Sequence, residues 1–293
     1  MEITIKDIYD GMSIRDFIKG ELRFSRRLLK IIRETDSAIT VNGLQRNLWE
    51  RLAAGDVLRV TFPEEKKAPY LAAENMELAI VYEDEAVLVI DKPAGVATIP
   101  SMNQPTGTIA NGIRAYYEKK KLPYTVHIVT RLDRDTSGLM LIAKHRYSHA
   151  ILSEMQKAKK VNRQYLAIVT GDLQKEQGTI TANIGRKEGS IIERAVVAAG
   201  QTAITHYKLL KEKNGMSLVE IQLETGRTHQ IRVHFSAMGH PLVGDDLYGG
   251  STARMKRQAL HSAMLTFTHP MTHQLLHFTS ELPNDMVQCM MEA

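Results

Sequence analysis

From Leu78 onward the chain is a succession of short apolar runs bounded by turn residues, and this spacing restricts the fold more than any other feature. Runs of strand length fall at 79–83, 86–90, 126–129, 139–143, 163–170, 178–183, 194–198, 202–210, 216–223 and 273–279; stretches of helical period are confined to 108–120, 147–159 and 227–238. A parallel pair of strands needs a crossover of a dozen or more residues, usually helical. Where most strands follow one another directly, the sheet must be mostly antiparallel. The expected fold class is therefore α+β, a mixed, mainly antiparallel sheet with flanking helices, in preference to a doubly wound sheet.

The first 62 residues have a different texture. Between positions 15 and 33 lie seven bases, Arg15, Lys19, Arg23, Arg26, Arg27, Lys30 and Arg33, against Asp16 and Glu21, which accounts for the chain's net charge of +5. Ser25 is suited to cap a helix over RRLLKIIR, with Leu28, Ile31 and Ile32 as the apolar stripe and Arg26, Lys30 and Arg33 projecting together on the other side. A charged stripe is ordinarily a solvated face, but so large an excess of one sign favours phosphate binding. AITV, the Asn42-Gly43 pair and VLRV after Gly55-Asp56 read as short strands around turns. Helices followed by a small sheet over residues 12 to 62 resemble the RNA-binding module named after ribosomal small-subunit protein S-four. Residues 63–77, with two prolines and a charge run, read as a linker.

Composition excludes several classes. Apolar residues make up 43% and charged residues 24%, as in a globular chain. The single cysteine, Cys289, rules out an intramolecular disulfide and a cysteine-rich zinc site, and fits a reducing, cytoplasmic compartment. Neither a signal peptide nor an apolar stretch of bilayer length is present, so no membrane partner is expected.

The densest polar cluster in apolar surroundings is Thr130-Arg131-Leu132-Asp133-Arg134-Asp135-Thr136-Ser137-Gly138, which lies between HIV and LMLIA. Such residues usually make a plain turn. Asp133, Asp135, Ser137 and Gly138 match the start of a calcium loop, but its twelfth position is Lys144 and a strand follows. Asp133-x-Asp135 also fits a haloacid-dehalogenase-like, magnesium-dependent phosphatase with Asp245 and Asp246 as later metal acids. That family, however, places its first aspartate directly after an apolar strand, whereas Thr130 and Arg131 interrupt the run here.

More of the chain is similar to the RluA-type pseudouridine synthases. Arg131-Leu132-Asp133 with DTSGLMLIAK carries their signature, and VYEDEAVLVIDKPAG at 81–95, VNRQYLAIVTG at 161–171, ETGRTHQIRVHFSAMGHPLVGDDLYG at 224–249 and ALHSAMLTFTHP at 259–270 follow the family's order. Thr130 departs from it, since many members have histidine there. The resemblance implies a pseudouridine synthase fold and an isomerase of RNA uridines. It makes Asp133 the nucleophile, Tyr165 the aromatic platform for the base, Arg232 the partner of Asp133, and Arg131 the residue that enters the RNA as the target nucleotide leaves.

Each of these residues has a plainer role available: Tyr165 as a core tyrosine, Arg232 as a surface ion-pair residue on a helix that also carries His229. His229 and His234 are five apart, the wrong spacing for a zinc clamp. DKPAG at 91–95 reads as a turn supporting the site. The implied reaction needs no redox step and no external group, so no cofactor and no metal are expected. A carboxylate can attack the sugar C1′ or the base C6, and the sequence does not choose between them. A nucleophilic carboxylate must stay ionised in a pocket dry enough to hold a base, which gives an adjacent guanidinium a physical purpose.

The expected organisation is an RNA-binding domain at 1–62, a linker at 63–77 and a catalytic domain at 78–293, in a monomer that acts on RNA. The basic module points to large-subunit ribosomal RNA, with transfer RNA as the second candidate. The competing functions are the phosphatase and a non-catalytic RNA-binding protein. RNA contacts are expected from Arg131 and from Arg23, Arg26, Arg27, Lys30 and Arg33.

Overall fold

The strand-length runs pair into one large sheet in the computed structural model, with a second, small sheet at the N-terminus. The structure describes residues 1–22, 24, 26–35, 38–62, 65, 71–102 and 104–291, without the side chain of Arg27. Arg23, the Arg27 side chain, the expected cap Ser25 and most of residues 63–70 of the expected linker therefore lie outside the described residues.

The N-terminal unit runs β1 (Glu2–Thr4), α1 (Ile14–Gly20), α2 (Arg26–Arg33), β2 (Ile39–Val41), β3 (Leu44–Gln45) and β4 (Val57–Val60), with antiparallel sheet order β1-β4-β2-β3. Ser13 caps α1 by accepting from the Asp16 N–H at 3.1 Å. Asn42 and Gly43 both have positive φ, 51° and 80°, as the tight hairpin between β2 and β3 requires. β1 was not expected, because three residues are too few to display a period. The buried stripe of α2 is Leu28, Leu29 and Ile32, so Ile31 is replaced by Leu29 in the expected set. This unit's core also takes in Tyr147 and Ile151 from the following body. Phe24 and Phe62 lie 4.7 and 5.4 Å from the Tyr147 ring, and each such pair adds about 0.5–1.5 kcal/mol beyond its burial. Glu65 accepts from the Arg146 N–H at 2.7 Å and meets His127 at 2.6 Å. The small sheet is thus seated on the large one.

The body runs β5 (Ile80–Glu83), β6 (Val87–Lys92), α3 (Ile109–Lys119), β7 (His127–Ile128), β8 (Ser137–Ala143), α4 (Arg146–Lys157), β9 (Asn162–Thr170), β10 (Gln177–Arg186), β11 (Arg194–Val196), β12 (Gln201–Lys213), β13 (Met216–Leu223), α5 (Gln230–Ala237), β14 (Leu260–Thr268), β15 (Leu275–Thr279) and α6 (Asn284–Met291). Its sheet has the order β11-β10-β12-β13-β9-β14-β8-β6-β5, with β15 beside β14 and β7 beside β8. Among the described residues β14 and β8 form the one parallel pair, and the sheet is otherwise antiparallel, as the strand spacing requires. Helices α3 and α5 cover one face with Ile109, Ile113, Tyr117, Ile231 and Phe235. On the other face α4 contributes Leu152. Burial of each such side chain stabilises the fold by about 1.5–3 kcal/mol.

Three departures from the sequence expectation follow from this packing. β14 is a central strand whose first residues are buried on both faces, so it lacks the alternation that marks a half-buried strand. α6 was also not expected. Helix α5 begins at Gln230 and not at 227; residues 225–229 are a loop ending in His229 at φ 56°. Buried Gln230 fixes that loop by accepting from the Thr225 hydroxyl at 2.8 Å and the Arg227 N–H at 3.0 Å, and by donating to the Ile204 carbonyl at 3.0 Å.

The register places the site. Gly138 of β8 pairs with Ser262 of β14, and Ser262 pairs with Tyr165 of β9. One row across three strands therefore carries the Asp133 turn and Tyr165 to the same end of the sheet.

Candidate active site

The turn that precedes β8 is held from several sides. Thr130 Oγ1 accepts from the Leu141 N–H at 2.8 Å, and the Thr98 hydroxyl donates to the Leu132 carbonyl at 2.7 Å. Lys92, buried at the end of β6, donates from Nζ to the carbonyls of Arg134 at 2.9 Å, Pro93 at 2.7 Å and Val96 at 2.8 Å. Burial pulls its ammonium down to about 8, against the opposing charges of Asp135 and Asp133. DKPAG is therefore a support under the turn. Gly138 has φ +110°, and a Cβ there would meet the backbone of Ser262.

This framework presents the Asp133 carboxylate, with 28% of its side chain exposed, to Arg232 Nη1 at 3.3 Å and His229 Nε2 at 3.9 Å. Arg232 is not a surface residue, in contrast to the plain expectation for an arginine on a helix. Its Nε and Nη2 donate to the two oxygens of buried Asp245 at 2.7 and 2.8 Å, and its guanidinium lies 4.9 Å from the centre of the Tyr248 ring. Burial works against its charged form, but the hydrogen bonds and charge of Asp245, with Asp133, outweigh that and raise its pKa. The edge of the guanidinium left over points at Asp133.

His229 sits in the left-handed region, uncommon for a residue with a Cβ. Its Nδ1 is 2.7 Å from the Tyr248 hydroxyl, which accepts from the Arg194 N–H at 2.9 Å. With that hydroxyl donating to Nδ1, the imidazole proton is assigned to Nε2, the nitrogen facing Asp133. Burial holds His229 below its ordinary value, against the pull of Asp133, so the ring is neutral at neutral pH.

These groups line a cavity of about 80 Å³. Asp133 is the one acid among its described lining residues, which also include Tyr165 and the arginines Arg131, Arg163, Arg227 and Arg232. Tyr165 is buried in β9 with its side chain on the cavity wall. Arg163 has a buried Nε without a hydrogen-bond partner among the described residues. Asp133, Tyr165, Arg232 and Arg131, up to 101 positions apart, thus share one cavity. Arg26, Lys30 and Arg33 instead line a separate groove in the N-terminal unit.

Sequence reasoning placed DKPAG beneath the site without assigning a role to Lys92, and it missed Arg163, Tyr248 and the true place of His229. Asp245 was considered only as a metal acid. Both its oxygens are committed to Arg232, Asp135 is held by Arg134 at 3.0 Å and Asp133 meets Arg232 at 3.3 Å, so three of the four acids a phosphatase would offer a metal face guanidinium groups instead. Among the described residues no group of three or more His, Cys, Asp or Glu could hold a metal ion, and no helix is long and apolar enough to cross a membrane.

Comparison with known proteins identifies the family and the fold. A model of the RNA pseudouridylate synthase family matches residues 86–237. An uncharacterised RNA pseudouridine synthase of Bacillus subtilis (strain 168), YjbO, is 50% identical over 275 residues, covering 94% of this chain and 97% of that protein. The ribosomal large subunit pseudouridine synthase D of Pseudomonas aeruginosa is 38% identical over 266 residues, covering 86% of this chain and 82% of that protein. Among solved structures, human RNA pseudouridylate synthase domain containing 1 superposes with a TM-score of 0.58 at 25% identity, covering 74% of this chain and 86% of that one. The human domain-containing 4 protein shares the fold at a TM-score of 0.59 and 22% identity, over 72% of this chain and 91% of that one.

Proposed function

This chain belongs to the RNA pseudouridylate synthase family, in its RluA branch, and isomerises uridine to pseudouridine in RNA; from that premise we propose that Asp133 is its nucleophile and large-subunit ribosomal RNA its substrate. The observation that carries the first part is the cavity itself, in which Asp133 is the one acid among the described lining residues and is aligned by a guanidinium that Asp245 holds rigid. The reaction breaks the bond from C1′ to N1, forms one from C1′ to C5, releases a proton from C5 and delivers one to N1. Asp133 forms a transient bond to C1′ or C6 and is released, so it is unchanged over the cycle. Nothing is oxidised or reduced.

Tyr165 gives the flipped base a stacking surface, worth about 1–3 kcal/mol against the stacking lost in the RNA. Arg232 aligns Asp133 and supplies an opposite charge beside it. Arg131, exposed at the cavity mouth, fills the place the uridine leaves, and Arg163 and Arg227 take the flanking phosphates. Residues 1–62 serve as the RNA-binding domain, joined through 63–77 to the catalytic domain, 78–293. The basic N-terminal groove and the relatives named as ribosomal large subunit pseudouridine synthase D support the choice of ribosomal RNA.

Asp133→Asn is the direct test. It keeps the size and most hydrogen bonding of the side chain but removes the nucleophile. The expected protein is folded, binds RNA and releases no tritium from RNA labelled at uridine C5. Tritium release near the wild-type rate would sink the nucleophile assignment. Mapping pseudouridines in the ribosomal RNA of cells lacking this protein tests the substrate, and unchanged large-subunit sites would remove it.

A further inference from the structure

The groove enclosed by α1, α2 and the segment from β2 through β3 has a volume of about 640 Å³ and is lined by Arg15, Lys19, Arg26, Lys30, Arg33 and Arg46, with no acid among its described lining residues. Lys30 and Arg46 are each shared with a glutamate, at 3.9 Å from Glu34 and 3.0 Å from Glu50. Among the described residues, Arg15, Lys19, Arg26 and Arg33 have no carboxylate within ion-pair reach. The electrostatics suit a phosphate backbone.

On the rim of this groove stands Trp49, the chain's single tryptophan, 75% exposed. Its backbone, in contrast, is fixed. The Glu50 N–H donates to the Asn47 carbonyl at 3.0 Å, and the Asn47 N–H donates to Glu50 Oε1 at 2.6 Å. The Ile14 and Arg15 N–H groups at the start of α1 donate to the carbonyls of Glu50 at 2.9 Å and Leu48 at 2.8 Å. A tight, doubly anchored turn thus holds a large aromatic side chain out in water, where folding gains nothing from it. Trp49 also borders a second groove, where Glu50 and Asp56 stand against Arg46 and Arg51, so that groove has no excess of positive charge and phosphate is drawn to the first.

We propose that Trp49 is a stacking platform for an unpaired nucleobase, and that this groove takes RNA interrupted by a loop or bulge in preference to continuous duplex. In an A-form duplex the base faces are covered and the major groove is too deep and narrow for side chains. Only an unstacked base offers a face to the indole while its phosphates lie among the bases of α1 and α2. The inference rests on the reading of residues 1–62 as an RNA-binding domain.

Because Trp49 is the chain's single tryptophan, the intact protein carries its own reporter. Two probes suffice: an RNA hairpin with an unpaired loop, and a blunt duplex of the same stem. The hairpin should quench tryptophan emission and the duplex should leave it unchanged. By anisotropy of labelled RNA, Trp49→Ala should bind the hairpin roughly tenfold more weakly with the salt slope intact, Trp49→Phe should retain part of the affinity, and duplex binding should not change. A triple change of Lys19, Arg26 and Arg33 to glutamine should flatten the salt slope by about 2. If the triple variant binds as wild type, the RNA-binding reading of this domain fails. If the triple variant is weakened while Trp49→Ala binds the hairpin normally, or if both probes quench equally, the stacking proposal alone is overturned.

Discussion

Replacing Asp245 with asparagine should destabilise the protein by about 3 kcal/mol, because it leaves a buried cation without its principal counter-charge. Asp245 is 1% exposed and holds Arg232 at 2.7 and 2.8 Å. At the effective dielectric of about 20 that suits protein sites, a unit-charge pair at that distance attracts by about 6 kcal/mol. Desolvation of the two ions offsets part of this in the native protein, but the share belonging to Arg232 is not recovered when only the acid is removed. Asparagine also turns an N–H₂ toward the guanidinium where a second acceptor stood. Arg232 is then left with Asp133 at 3.3 Å. For a body of this size the loss corresponds to roughly 6–12 °C in Tm. Thermal unfolding followed by calorimetry checks it, and the loss should persist at high salt because the pair is buried. Asp246→Asn is the matched control, since that side chain is exposed and accepts from the Leu247 N–H at 2.9 Å, with no ion pair among the described residues. An Asp245→Asn protein that melts within about 2 °C of wild type, or no lower than the control, would refute the energetic role given to the pair.

Gly138→Ala should cost more than about 3 kcal/mol, since it adds strain at φ +110° to a collision with the Ser262 backbone. Chemical denaturation measures it, and a variant as stable as wild type would contradict the close approach of β8 and β14. Stability should also fall on acidification below pH 6.5. Burial lowers His145 to about 4 and holds His149, His229, His234 and His261 below their ordinary value, so the unfolded chain binds their protons first. Their contribution is complete above about 6.5 and lost as pH falls toward the folded values, with His145 alone accounting for about 3 kcal/mol. Urea titrations across that range should show it, and His145→Asn, which keeps a helix-capping side chain, should have a shallower profile. A flat wild-type profile would mean that these rings are not buried as described.

What the sequence determined by itself is what depends on neighbours along the chain. The spacing of apolar runs set the strands and their antiparallel sense, the Asn42-Gly43 pair set its hairpin, and the ordered motif blocks singled out Asp133, Tyr165, Arg232 and Arg131. Periodicity reports only whether one face of an element is dry, so it could not announce β14, which is dry on both faces at its start, nor the three-residue β1. It also could not show that Arg232 is buried, because that depends on Asp245 returning 13 positions later to lie beneath it. The three carbonyls that Lys92 binds within and beyond the DKPAG turn, and Tyr248 behind His229, were hidden for the same reason. Only assembly of the sheet, with Gly138, Ser262 and Tyr165 in one row, and the packing of α5 and the 245–248 loop beside it bring these distant residues together, and hydrogen bonds and ion pairs act over a few ångströms of space whatever the distance along the chain.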